Sequence, residues 1–184
     1  MPGTLALDVS PLRAGWAYAV DAPVRHFGGT LQPVYGLLLL PGMASLGKLG
    51  AALRNVLEDL FELHRPDRLV FAPALHAKAQ TTARALIGLA FQAEVTAYDY
   101  GVKPFEVAES TARKLVLGPA VTSAIIRAGR PKAGEGSKVA KAAAMQWARG
   151  RGFTPQSDDV ADALVLLEYD RLWRLSRRQW GEAA

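Results

Sequence analysis

The stretch TLALDVSPLRAGWAYAV, residues 4–20, decides how the chain is read. Its apolar opening, Leu5-Ala6-Leu7, has the composition of a buried strand, and it runs straight into an acid, Asp8. Asp is disfavoured in strands, and a buried carboxylate without a partner is costly. Two readings of Asp8 stand at this point. It starts a turn through Val9-Ser10-Pro11, a role that suits Asp, or a cation sits beside the strand end and offsets its charge.

Composition bounds the rest. The chain has 184 residues, 50% of them hydrophobic, which is enough for one compact α/β domain spanning residues 1–184. No apolar run is long enough to cross a bilayer; residues 36–41 form only a short strand-like stretch. The N-terminus lacks the basic-then-apolar pattern of a signal peptide. There is no cysteine, so disulfide scaffolds and thiolate metal sites are excluded. These features predict a soluble, cytoplasmic protein.

Charge is unevenly distributed. The formal net charge is +5, from 22 Lys and Arg against 17 Asp and Glu. Residues 101–150 carry Lys103, Arg113, Lys114, Arg127, Arg130, Lys132, Lys138, Lys141 and Arg149 against only Glu106, Glu109 and Glu135, so that segment is +6 and the remainder −1. A basic face of this kind suits a polyanion such as nucleic acid, although a merely solvated surface has the same composition.

Along the chain, strands are predicted at residues 4–9, 15–20 and near 25–40, the last broken by glycines that suggest a hairpin. Leu46, Leu49, Leu53, Val56, Leu57, Leu60 and Leu63 recur at helical spacing and predict a helix over residues 46–64. Arg65-Pro66-Asp67 ends it, and residues 68–71 form a short apolar strand. A second helix fits residues 79–97. A strand follows near residues 102–107, which Pro104 places at a sheet edge or a bulge. Ser110 or Thr111 caps a short helix ending near Gly118. Residues 129–136, glycine-rich and basic, read as a loop, and Ser137 caps a helix to about Arg149. The final helix runs over about residues 158–178. Three early strands followed by alternating helices and strands predict a mixed sheet of about five strands, the first three antiparallel, flanked by helices.

The acids gather at the start of that last helix, SDDVADALVLLEYDRLW, residues 157–173. Ser157 is a good N-cap, and Asp158 and Asp159 fall in the first turn, where acids complement the helix dipole. Asp162 has no such explanation, because Ala163-Leu164-Val165-Leu166-Leu167 makes the helix around it apolar on all sides. Asp159 and Asp162 are three apart and share a face. Like charges that close repel unless a cation lies between them, and carboxylate oxygens suit Mg²⁺ or Mn²⁺. For Asp162 a metal role is therefore favoured over a structural one, while for Asp159 the metal role and the helix-start role stand level.

Taken in order, Leu5-Ala6-Leu7-Asp8, Gly15-Trp16-Ala17, Val107-Ala108-Glu109-Ser110-Thr111-Ala112-Arg113-Lys114 and Asp159-Val160-Ala161-Asp162-Ala163-Leu164 resemble the RuvC-like branch of the RNase H-like superfamily, over about residues 5–172, and phage-type Holliday junction resolvases in particular. The resemblance implies an RNase H-like α/β fold and a metal-dependent endonuclease that cuts branched DNA by two-metal phosphodiester hydrolysis. It implies that Asp8, Asp159 and Asp162 are the catalytic acids and hold two Mg²⁺ or Mn²⁺ ions, with Asp8 bridging both. It places Arg113, Lys114, Lys138 and Lys141 on the DNA, with Lys132 added to that surface from the basic 101–150 segment, and it implies a homodimer of bacterial or phage origin. With this, the metal-ligand reading of Asp8 displaces the turn.

The chain departs from the family at one point. The second acid, usually Glu, follows a strand shaped like Arg68-Leu69-Val70-Phe71, and here Ala72 stands in its place. An engineered substitution, a natural loss of activity, or a replacement ligand such as Asp158 or His76 would each account for it. The alternative function is accordingly a RuvC-like protein that binds branched DNA without cutting it. An unrelated α/β protein in which the acids serve as ion pairs is a third reading.

Overall fold

The computed structural model describes residues 3–20, 33–42, 45–72, 79–119 and 135–179. Its sheet has five strands, β1 (Gly3–Val9), β2 (Arg13–Val20), β3 (Val34–Leu39), β4 (Arg68–Phe71) and β5 (Lys103–Glu106), in the order β3-β2-β1-β4-β5. β1, β2 and β3 form an antiparallel meander, and β4 and β5 continue the sheet parallel to β1. The helices that lie fully among the described residues are α1 (Leu46–His64), α2 (Gln80–Asp99), α3 (Glu109–Leu117), α4 (Glu135–Gly150) and α5 (Asp158–Gln179). This is the mixed, helix-flanked sheet that the sequence predicts.

Strand alternation divides the core in two. Leu5 and Leu7 of β1, with Leu69 and Phe71 of β4, pack against α1 and α2 through Leu49, Leu53, Leu57, Phe61, Leu89 and Ala93. Ala6 and Val70 face the other way, onto α3, α4 and α5 through Ala112, Ala144, Val160, Ala161 and Leu164. Each fully buried leucine contributes roughly 1.5–3 kcal/mol from removal of apolar surface, so the sheet is fixed from both sides. Asp8 has the parity of Ala6 and lies on the α5 side.

Helix α1 begins where Ser45 accepts a 3.2 Å hydrogen bond from the Lys48 N–H, and it ends with Arg65 in the left-handed region, φ 48°, donating to the Phe61 carbonyl at 2.8 Å. β5 is one of the two edge strands, and Pro104, which has no N–H to donate, pairs there with Leu69.

Several boundaries differ from the sequence reading, among them the starts of β2, α3 and α4. β2 starts at Arg13 rather than Gly15, because Arg13 and Ala14 keep pairing with Leu39 and Leu38 of β3. α3 starts at Glu109 after Ala108, with no side-chain cap from Ser110 or Thr111. α4 starts at Glu135, so Ser137 belongs to its first turn rather than preceding it. The first part of the expected 25–40 hairpin and most of the glycine-rich 129–136 stretch lie outside the described residues, and Val34–Leu39 is the part seen as strand.

Candidate active site

Helix α5 lies directly on the two central strands because the residues beneath it are small. Ala6 of β1 and Ala17 of β2 pack against it. Gly15 of β2 is covered by the backbone of Asp159 and Val160 so closely that a Cβ there would overlap the Asp159 carbonyl. Gly15 is also the cross-strand partner of Asp8. The start of α5 is thereby held against the end of β1.

The far end of the helix fixes the register. Asp170, 0% exposed, accepts a 2.9 Å hydrogen bond from Thr4 Oγ1, and Arg174 Nη2 donates to the same hydroxyl at 3.0 Å. Arg68 and Arg174 each pair with the Asp170 carboxylate at 2.9 Å, as ion contacts rather than aligned hydrogen bonds. The Arg68 guanidinium lies over the rings of Phe105 and Trp173, 5.0 and 5.6 Å from their centres. Four residues of strand from Thr4 to Asp8 span about 13 Å, and eight residues of helix from Asp170 back to Asp162 span about 12 Å. Anchoring Asp170 on Thr4 therefore brings Asp162 alongside Asp8.

At the start of α5, Ser157 Oγ accepts the Val160 N–H at 3.3 Å, the cap expected from the sequence. Asp8, Asp159 and Asp162 are all buried, at 6%, 2% and 2% exposure. Three cations stand among these acids. Arg13 donates its Nε to Asp159 and its Nη2 to Asp158 at 2.6 Å. Lys141 donates to Asp158 at 2.6 Å and lies 3.7 Å from Asp159. Arg113 grips Asp162 with two N–H groups, at 3.1 and 2.8 Å, and pairs with Glu109 at 2.7 Å.

Asp8 differs from the others. Among the described residues no hydrogen bond or ion pair reaches its carboxylate, and its charge is opposed from several sides. Burial pushes the Asp8 carboxyl well above the usual carboxylate range, and the charges of Glu109, Asp162 and Asp159 push it further, with Lys141 pulling back only in part. Burial likewise raises Asp162 to about 6 against the lowering effect of Arg113. For Asp158 burial also works upward, but the Lys141 bond and the Arg13 charge outweigh it and hold the carboxyl below its usual range.

The remaining candidates fall as follows. The parallel pairing of β1 with β4 ends at Leu7 with Phe71, so Ala72 comes next to Asp8, and its methyl packs with the α5-side core. Lys114 and Lys138 are exposed on α3 and α4. Arg113 and Lys141, expected to contact DNA, are half-buried and committed to acids of the site. Lys132 and His76 lie outside the described residues. Sequence reasoning missed Arg13, Glu109 and the Thr4–Asp170–Arg174–Arg68 cluster. Strand alternation gives Arg13 the parity of Gly15 and so the face of Asp8. The i,i+4 spacing of Glu109 and Arg113 marks their pairing. The cluster around Asp170 joins residues 166 positions apart, and no local pattern reports it.

Among the described residues no three acidic or histidine side chains converge tightly enough to cage an ion, because guanidinium and ammonium groups separate them. The donor set still fits a hard divalent cation. It consists of carboxylate oxygens only, and Asp8 is a buried acid with no direct counter-charge.

Neither a family model nor a curated protein matches the sequence. Solved structures do match the fold. Thermus thermophilus RuvC aligns over 95% of this chain and 96% of its own at 13% identity, with a TM-score of 0.68. A structure of T. thermophilus RuvC in complex with a Holliday junction substrate aligns over 96% of both chains at 9% identity, TM-score 0.66. Ydc2, the yeast mitochondrial Holliday junction resolvase, aligns over 96% of this chain and 80% of its own at 10% identity, TM-score 0.57. The chain has the RuvC-like form of the RNase H-like fold.

Proposed function

We propose that this chain is a divalent-metal-dependent endonuclease that cuts branched DNA in the manner of a Holliday junction resolvase. The observation that carries the proposal is the buried Asp8 at the end of the central strand, without a direct counter-charge among the described residues and beside Asp159 and Asp162. Asp8, Asp159 and Asp162 are the residues that would hold two Mg²⁺ or Mn²⁺ ions. The chemistry such ions would supply there is activation of the attacking water and charge stabilisation at the leaving oxygen of the phosphodiester.

The rest is done by the chain. β1 and α5, locked together at both ends, keep the three acids rigid. Arg13, Arg113 and Lys141 offset the acids' charge in the metal-free protein, and once released they are placed to bind phosphate oxygens. Lys114 and Lys138, exposed beside the site, extend that positive surface along the DNA backbone. A four-way junction has two-fold symmetry, so paired cuts call for two copies of the chain, and a homodimer is part of the proposal.

A labelled four-way junction incubated with Mg²⁺ or Mn²⁺ tests this. Cleavage by the parent protein and none by Asp8→Asn is the expected result. Junction-selective binding without cleavage would replace it with the non-cutting alternative that Ala72 suggests. Equal binding to junction and linear duplex, without cleavage, would sink both.

A further inference from the structure

Ala72 leaves the acid set short of the carboxylate that a second ion needs, yet the structure brings another to the same place. The ladder between β4 and β5 continues past Phe71, whose carbonyl accepts the Val107 N–H at 2.9 Å, so Val107 follows alongside Ala72. Two residues later Glu109 opens α3. Its Oε2 lies 2.7 Å from Arg113 Nη2, and Asp162 Oδ2 lies 2.8 Å from that same nitrogen. One cationic atom thus sits between the Glu109 and Asp162 carboxylates. A divalent ion carries twice the charge and takes oxygen ligands at about 2.0–2.1 Å for Mg²⁺, so it would bind these oxygens more strongly than the guanidinium does.

Resting on the nuclease reading above, we infer that Glu109 is the replacement second acid of this site, a metal ligand delivered from the start of α3 instead of from the end of β4. Asp8 supports this independently: it is 6% exposed, has no direct partner among the described residues, and points to the face on which Glu109 and Asp162 meet. Of the surrounding side-chain charges, that of Glu109 acts on it most strongly. Glu also suits the task, since its longer stem bridges the distance from a neighbouring element and its partly exposed carboxylate can leave Arg113 at little cost. The plainer account is an i,i+4 ion pair with Arg113 at a helix start. That account gives Glu109 no part in holding an ion.

Calorimetric titration of the full chain with Mn²⁺, without DNA, separates the two. Glu109→Gln should weaken Mn²⁺ binding at least about tenfold, since even residues that only support a metal ligand cost that much. Glu106→Gln, which removes an exposed acid on the adjoining strand, should leave binding unchanged and so control for bulk charge. The double variant Ala72→Glu/Glu109→Gln should regain the affinity, and that recovery also shows that Glu109→Gln is folded. Parent-like Mn²⁺ affinity in Glu109→Gln, with affinity lost in Asp8→Asn, would overturn the Glu109 assignment and leave the nuclease reading standing. If the parent binds no Mn²⁺, both fall together.

Discussion

Gly15 carries the backbone of Asp159 directly against its Cα, with no room for a side chain between strand and helix. The same glycine faces Asp8 across the β1–β2 ladder. A single residue without a Cβ therefore sets the distance between the strand acid and the helix acids. Gly15→Ala should push the start of α5 away, costing ~1–3 kcal/mol of stability, as overpacking does. It should also weaken Mn²⁺ binding. A denaturant midpoint and a Mn²⁺ titration on the same variant check both, and an unperturbed midpoint would mean that α5 is not seated on β2.

Asp8 is a buried acid with no direct counter-charge, so its ionised form burdens the metal-free fold. Asp8→Asn should stabilise the fold at pH 7.5 in the presence of chelator by on the order of 1 kcal/mol or more, seen as a higher thermal midpoint. It should abolish the further rise that Mn²⁺ gives the parent. A lowered midpoint in chelator would contradict this electrostatic account.

Asp162 titrates at about 6 in the folded chain, against 3.8 for an ordinary Asp. The native state therefore holds a proton that the unfolded state has released. Its contribution to stability is fully present below pH ~4, is lost as the pH rises through about 6, and is constant above. Urea midpoints of the metal-free parent should carry this fall between pH 4 and pH 6, and Asp162→Asn should remove it. Identical pH profiles for the two proteins would refute the raised value.

Ala72 follows directly on β4, next to Asp8, and packs on the α5 side. In the Glu109→Gln background, Ala72→Glu should raise Mg²⁺-dependent cleavage of a four-way junction strongly while leaving junction affinity nearly unchanged, because phosphate contacts come from Lys and Arg. Loss of stability with no gain in cleavage would show that the methyl is simply part of the core.

Lys114 and Lys138 are the exposed members of the expected DNA surface. Lys114→Ala and Lys138→Ala should each weaken binding to every DNA shape alike and lower the salt slope by roughly one unit. A change confined to junction binding would instead place them at the branch point.

The sequence by itself determined the sheet and its class, because these rest on short-range periodicity. Leu5-Ala6-Leu7, the leucine repeat of α1 and the Pro66 break each report their own element, and the structure has those elements with boundaries shifted by a few residues. The sequence also singled out Asp8 and Asp162, since an acid within an apolar run needs a reason wherever the chain folds. Tertiary structure alone decided what surrounds them. Arg13 reaches Asp159 across 146 positions, Arg113 reaches Asp162 across 49, and Thr4 holds Asp170 across 166. Such pairings depend on how a helix lies on a sheet, and no residue's neighbours in the chain encode that. The seating of α5 depends on an absent side chain at Gly15, and Ala72 and Glu109 gain their meaning only from standing beside Asp8. Charge acts through space over a few Å, so the sequence could name the acids, and only the fold could say which cations and which other acids they meet.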